Sequence, residues 1–288
     1  MLRVGQVVPG DYSTAELYAR AVDDLAGQSP LRRTGALRTL EMIGNSDPAH
    51  RPAIVDLVCA YLRTPYDPAA ADERALRYAA QRVLAARLRG DDGWREDPRH
   101  WRTGLDLTGA TLIDLDLSGC VITGTTRFGG AIFAGSARFP RTVFVGPAHF
   151  DGAIFTDHAW FEGTVFHDEA RFDAAEFHGD AWFGQATFGG RAGFAAVGFQ
   201  GHAWFGGVVS RGLAEFSGSA FHRSAGFRGG VFSGGAALLG TTFTGPARVS
   251  RRYEDWNLCP VGWQVEVDPN NAAVGRLLPE PSDATVLM

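Results

Sequence analysis

Three side chains of metal-binding type, His158, Asp180 and His202, follow one another at intervals of twenty-two residues. An imidazole, a carboxylate and a second imidazole are competent zinc ligands once a fold lays them side by side. His178 and His222 keep the same interval, with Gln200 between them. Ser210 is the one hydroxyl that interrupts an otherwise apolar series, and a nucleophile there would need a base at its side and an opening to substrate. No phosphate-cradling glycine loop, paired CxxC or HExxH occurs. The residues that remain suit recognition better than bond-making. They are Trp160, Trp182 and Trp204, and the acids Asp151, Asp157, Glu162, Asp168, Glu169, Asp173, Glu176 and Asp180, which face Arg171 as the only arginine between 151 and 180.

What positions them is a register. Apolar centres run from Leu107, Leu112, Leu117 and Ile122 through Phe128, Phe133, Phe139 and Phe144 to Phe243 and Val249, with gaps of five at the start and then of five and six in alternation. Two residues before nearly every centre stands a small side chain such as Ala148, Ala153, Ala159 or Thr164. In an extended segment residues i and i+2 share a face, so centre and small residue both point inward and the residue between them points out. Period eleven alone fits a two-sided or a four-sided coil. The outward columns Arg138, Trp160, Trp182, Trp204, Gly226 and Val143, Val165, Thr187, Val209, Val231 repeat only every second unit. This predicts a four-walled solenoid of about twenty-two residues per coil, roughly 30 Å long at about 4.8 Å per coil. The three indoles are then expected to stack as an outward ladder, and Ser210 to sit inside among rings.

The six-residue gaps carry Gly or Asp at the second position after the centre, as in Gly135, Gly146, Asp157, Asp168, Gly179 and Gly190, with Arg223 as the exception. These residue types tolerate left-handed backbone, so the extra residue is expected in a corner turn, with a different corner in the five-residue gaps.

Before the solenoid, residues 1–104 are rich in Ala, Leu and Arg with helical spacing. Ser13 and Glu16 form a capping box, a second helix opens at Ser29-Pro30, a third follows Asp47-Pro48, and a fourth takes Asp67 as its cap, Pro68 at its first position and Gly90 after its last turn. This α-helical segment of HEAT-like hairpins is expected to close the first end of the solenoid at 105–249, because an open end exposes a strand edge and a ring of core side chains. Residues 250–288 are expected to form the far cap, with a mobile tail beyond about Pro269.

All 27 basic residues are arginine, and the net charge of −5 divides into +1 for 1–104, −3 for 105–249 and −3 for the remainder. Cys59, Cys120 and Cys259 are odd in number and far apart, and no signal peptide or long apolar span is present, which points to a reduced cytoplasmic setting. Cys120 stands at the small inward position before Ile122 and reads as filler.

The triplets Ala159-Trp160-Phe161 and Ala170-Arg171-Phe172, repeated more than twenty times in the same sense between Leu105 and Val249, resemble the pentapeptide-repeat family. The resemblance implies a mainly β fold, a right-handed quadrilateral β-helix. The preceding run from Ala19-Arg20-Ala21-Val22 to Ala60-Tyr61-Leu62 is similar to the helical region that precedes such repeats in actinomycete proteins. Several family members protect DNA gyrase from inhibitors by imitating duplex DNA with an acidic rod, usually as dimers joined at one end. This chain departs from them in its six-residue spacers, its helical segment and its small net charge.

The expectation is a non-catalytic protein-interaction module without cofactor or bound metal, without direct nucleic-acid or membrane binding, and with either end open to homodimer formation. The partner surface is assigned to Trp160, Trp182 and Trp204 with Asp157, Glu162, Asp168, Glu169, Asp173, Glu176 and Asp180. A type II topoisomerase such as gyrase is the most specific partner. A scaffold that binds protein through its helical segment is the second reading, and an enzyme or small-molecule binder at Ser210 or the His158 column the third.

Overall fold

A computed structural model describes residues 12–90, 100–227, 229–243, 263–268 and 271–279. Residues 105–243 wind as a parallel β-solenoid of about 6 coils at roughly 22 residues per coil. The coils contribute short strands to four walls, the first coil meeting the third wall only through a bridge from Asp116 to Arg138. Wall 1 runs from Leu105–Asp106 to Ala236–Ala237, wall 2 from Thr111–Ile113 to Thr242–Phe243, wall 3 from Ala137–Arg138 to Ala225–Gly226, and wall 4 from Val121–Ile122 to Val231–Phe232. Pairing between coils is parallel and in register, for example Phe155 with Phe177 and Phe177 with Phe199.

The core follows from the predicted alternation. Ala148, Phe150, Ala153, Phe155, Ala159 and Phe161 are all fully buried. Phenylalanines one coil apart lie parallel, as Phe133 on Phe155 at 4.4 Å between centroids and Phe172 on Phe194 at 5.0 Å. Within a coil many rings meet edge to face, as Phe150 and Phe161 do at 5.6 Å and 89°. Both are favourable quadrupole arrangements, so the tube is filled by rings and small residues with little room for water. Three small residues that carry a hydroxyl donate to the carbonyl of a centre in the coil below, Thr142 to Leu117, Thr164 to Phe139 and Thr241 to Phe216, whereas the buried Thr126 hydroxyl has no such partner among the described residues.

The corners alternate between two types, but their chemistry is the reverse of the expectation. Left-handed backbone falls at the second position of the five-residue gaps, at Gly163, Gly207 and the other glycines there, and also at Arg141, Ala174, Gln185 and Ala196. Of the Gly and Asp residues that mark the six-residue gaps, Gly135 alone among the described residues has a positive φ. The tighter corner needs the reversal, whereas the extra residue of the longer corner turns the chain without it except where Gly135 and Gly235 adopt a positive φ. Close stacking explains the remaining glycines. A Cβ on Gly201 would collide with the Gly179 backbone, and one on Gly212 with Gly190.

Four helices precede the tube: α1 (Thr14–Ala26), α2 (Pro30–Ser46), α3 (Arg51–Leu62) and α4 (Ala71–Leu88). The Ser13–Glu16 capping box forms as predicted. A 3-10 turn over Pro48–His50, with Asp47 accepting from the Ala49 N–H, leads into α3. Asp67 does not cap α4. It accepts from the Ala69 N–H in a separate turn, and α4 starts later, with Asp72 and Glu73 in its first turn where the helix dipole favours acids.

The helices meet the first coil through polar groups that complete its edge. The Gln81 amide donates to the Ile113 carbonyl at 2.7 Å and accepts from the Ile113 N–H at 2.8 Å, as a neighbouring strand would. Arg77 is fully buried and donates to the carbonyls of Leu62, Thr64, Pro65 and Thr111, while its Nε pairs with Glu73 at 3.0 Å. Trp101 fills the space that Gly44 leaves in α2. At the other end strands Trp263–Asp268 and Asn271–Pro279 form an antiparallel hairpin, and the second pairs with Thr242–Phe243 through Phe243 and Gly275. The segment expected to be a mobile tail is therefore a strand over Asn271–Pro279, which gives the last coil's edge a backbone partner. Tyr253, Trp256 and Leu258 of the expected far cap lie outside the described residues.

Candidate interaction surface

Wall 3 carries the tryptophans. Trp160 pairs in register with Trp182, and Trp182 with Trp204, each side chain half-buried on the outside. The ring partners of Trp160 are the Arg138 guanidinium, 5.3 Å from the indole centroid, and the His158 edge at 5.5 Å, rather than the next indole. Strand pairing spaces the coils, so the columns align without an indole stack at Trp160. The Trp204 ring lies over glycine: a Cβ on Gly206 or on Gly226 would stand 2.6 Å from it. Gly226 thus seats the last tryptophan.

The corner between walls 2 and 3 explains the histidine column. His158 Nδ1 accepts the Asp180 N–H at 3.0 Å, Asp180 accepts the His202 N–H at 2.8 Å, and His202 Nδ1 lies 2.5 Å from the Ser224 hydroxyl. His158 and Asp180 each close a backbone donor of the coil above, which a stack of turns would otherwise leave open. Among the described residues no group of three or more His, Cys, Asp or Glu is arranged to hold a metal ion. His178 lies 3.1 Å from Glu176 on its own coil.

The predicted acids encircle the rod. Asp157 and Asp180 stand at the corner before the tryptophan wall, and Glu162 at the corner after it. Glu176 is on wall 2. Asp173 follows wall 1, where it accepts from the Ala195 N–H at 2.9 Å and, with Asp151, flanks Arg171. Asp168 and Glu169 lie at the corner between walls 4 and 1, where Asp168 accepts from the Glu169 N–H and Glu169 faces Arg191 at 3.8 Å. The structure brings Asp157, Glu162 and Asp180 to the flanks of Trp160, Trp182 and Trp204, and leaves Asp168, Glu169, Asp173 and Glu176 on other sides.

Beyond Trp204 the surface dips into an open groove of about 800 Å³ lined by Arg141, Glu162, Gln185 and Trp204 over Gly163, Gly184 and Gly206. Glycine at the tight corners removes the side chains that would fill it. The outward column Val165, Thr187, Val209 and Val231 borders this corner from wall 4. Sequence reading missed Arg141 and Gln185, whose signal was a non-glycine residue at the second position of a five-residue gap.

Ser210 is sealed, with its hydroxyl donating to the Gly212 carbonyl at 2.9 Å. In the coil below, Phe188 meets Phe194 at 5.8 Å; at the equivalent place Phe216 is met instead by Phe232 from the next coil, at 6.4 Å. Phe232 leans into the volume that Ser210 leaves. Burial pushes the thiols of Cys59 and Cys120 up from 9.0 to about 12, so neither is a poised nucleophile. No helix among the described residues is long and apolar enough to cross a membrane.

A family model described as pentapeptide repeats, with 9 copies, matches residues 107–154, 117–165, 150–198 and 161–209. No curated protein matches the chain. No solved structure matches it either.

Proposed function

Residues 107–209 are pentapeptide repeats, and from that premise we propose that the chain is a non-catalytic, cytoplasmic protein-interaction module whose tryptophan wall receives a protein partner. Pentapeptide-repeat proteins generally serve as protein-interaction modules, on a fold that is generally non-catalytic. The observation that carries the reading is the alignment of Trp160, Trp182 and Trp204 on one wall, between Asp157 and Asp180 on one flank and Glu162 on the other. Half-buried aromatic side chains supply contact area at small entropic cost, and adjacent carboxylates select a basic partner.

The acids divide into two roles. Asp157, Glu162 and Asp180 contact the partner, and Glu162 is the best placed because it makes no hydrogen bond or ion pair through its side chain among the described residues. Asp168, Glu169, Asp173 and Glu176 act at a distance, where the summed field of a negative band steers a basic surface toward the rod. A type II topoisomerase, whose DNA-binding groove is basic, is the specific partner, and occupation of that groove would protect it from inhibitors that need bound DNA. The test is a gyrase supercoiling assay with and without a poison at matched salt. The wild-type chain should change the poisoned activity, and the Trp182→Ala, Glu162→Lys double variant should not. No effect of the wild-type chain at any concentration removes the topoisomerase, and an equal effect of the double variant removes the wall.

A further inference from the structure

The helical end holds a second surface of opposite charge. One face of α4 and the turn after it presents Tyr78, Arg82 and Arg89 at helical spacing, and the facing side of α2 presents Thr34, Leu37, Arg38 and Glu41. Together with Asp116 from the first coil they line a groove of about 490 Å³ whose floor includes Ala79, Ala85 and Ala86. Arg38, Arg82 and Arg89 are exposed, and their side chains enter no ion pair, hydrogen bond or ring contact among the described residues. The two carboxylates in the groove are already engaged: Glu41 by Arg87, at 2.9 and 2.5 Å, and Asp116 by the Ser118 N–H at 2.9 Å. Three guanidinium groups therefore line one concavity without a paired counter-charge among the described residues, beside a tyrosine that is 47% exposed.

From this we infer that the groove between α2 and α4 binds a short acidic peptide segment of a partner protein. Guanidinium groups recognise carboxylates with paired donors, and the tyrosine ring offers an apolar face with a polar tip. The alanine floor admits close approach of a backbone. From Tyr78 to Arg89 the helix rises about 16 Å, the length of about five extended residues. Charge favours a short segment over nucleic acid. The groove opens onto a solenoid with three more acids than arginines, which a continuing phosphate backbone would meet as soon as it left the arginines.

The inference does not depend on the tryptophan wall binding anything. Its test is fluorescence anisotropy of a labelled hexaglutamate peptide with the full chain at low ionic strength, beside a labelled single-stranded oligonucleotide of similar charge. The peptide should bind, and Arg38→Gln with Arg82→Gln should weaken it at least tenfold. Arg211→Gln on the solenoid and Trp182→Ala on wall 3 should leave it unchanged. Because Arg38 and Arg82 are exposed, an unchanged circular dichroism spectrum is expected for their variants. Absence of peptide binding, equal binding by the double variant, or tighter binding of the oligonucleotide through the same arginines would overturn the assignment.

Discussion

Gln81 does for the first coil what the next coil does for every other: it occupies the N–H and carbonyl of an edge residue, Ile113. Gln81→Leu should leave both groups buried without partners and cost about 2 kcal/mol or more, read as a shift in denaturant midpoint together with faster exchange of the Ile113 amide. An unchanged exchange rate would show that the edge is satisfied some other way. The buried thiols give a second prediction. Cys59 and Cys120 are held neutral well above their ordinary 9.0, so their contribution to stability is complete below pH 9.0 and is lost as pH rises toward about 12. Neither should react with a thiol reagent in the native chain near neutral pH, and rapid labelling of Cys59 in folded protein would contradict its burial. At this scale the sequence was partly legible. The inward position of Cys120 follows from the register, but Gln81 and Arg77 look like ordinary polar positions of a helix, and only contact with another element reveals what they bind.

A wall is the natural element of this fold, and columns were the most legible feature of the chain because a strict interval leaves few ways to wind it. The corners were not. Glycine serves two physical needs, left-handed backbone at Gly163 and closeness of stacked chains at Gly201, and composition does not separate them. Nor did an aligned tryptophan column imply stacked rings, since Trp160 faces Arg138 and His158. Phe172 meets rings within its coil and in the coils on either side. Phe172→Ala should therefore cost about 3–5 kcal/mol, measured by chemical denaturation, and in a nearest-neighbour stack that loss should loosen the adjoining coils before distant ones. Uniform loosening along the whole rod in hydrogen exchange would argue against a nearest-neighbour stack. Trp182→Ala removes a half-buried outward ring and should cost far less stability than Phe172→Ala. A comparable loss would make wall 3 a structural face rather than a binding one.

Across the whole molecule charge is arranged by place rather than by sum. Unpaired arginines gather at the helical end, and an acidic band circles the solenoid, so the two regions should attract partners of opposite character. Association with a basic partner should therefore slow as salt is raised, through its on-rate more than its off-rate. A salt-independent on-rate would remove the steering role of Asp168, Glu169, Asp173 and Glu176. All of these surfaces depend on the circuit that returns the chain to the same wall after about 22 residues. Spin labels test it directly. Labels at Val165→Cys and Val209→Cys sit outward on wall 4 two coils apart, about 10 Å along the stack. Labels at Ile154→Cys and Val165→Cys sit outward on opposite walls of the tube. The first pair, far apart in sequence, should show the shorter distance; a shorter distance for the second pair would contradict the four-walled circuit and the tryptophan face built on it.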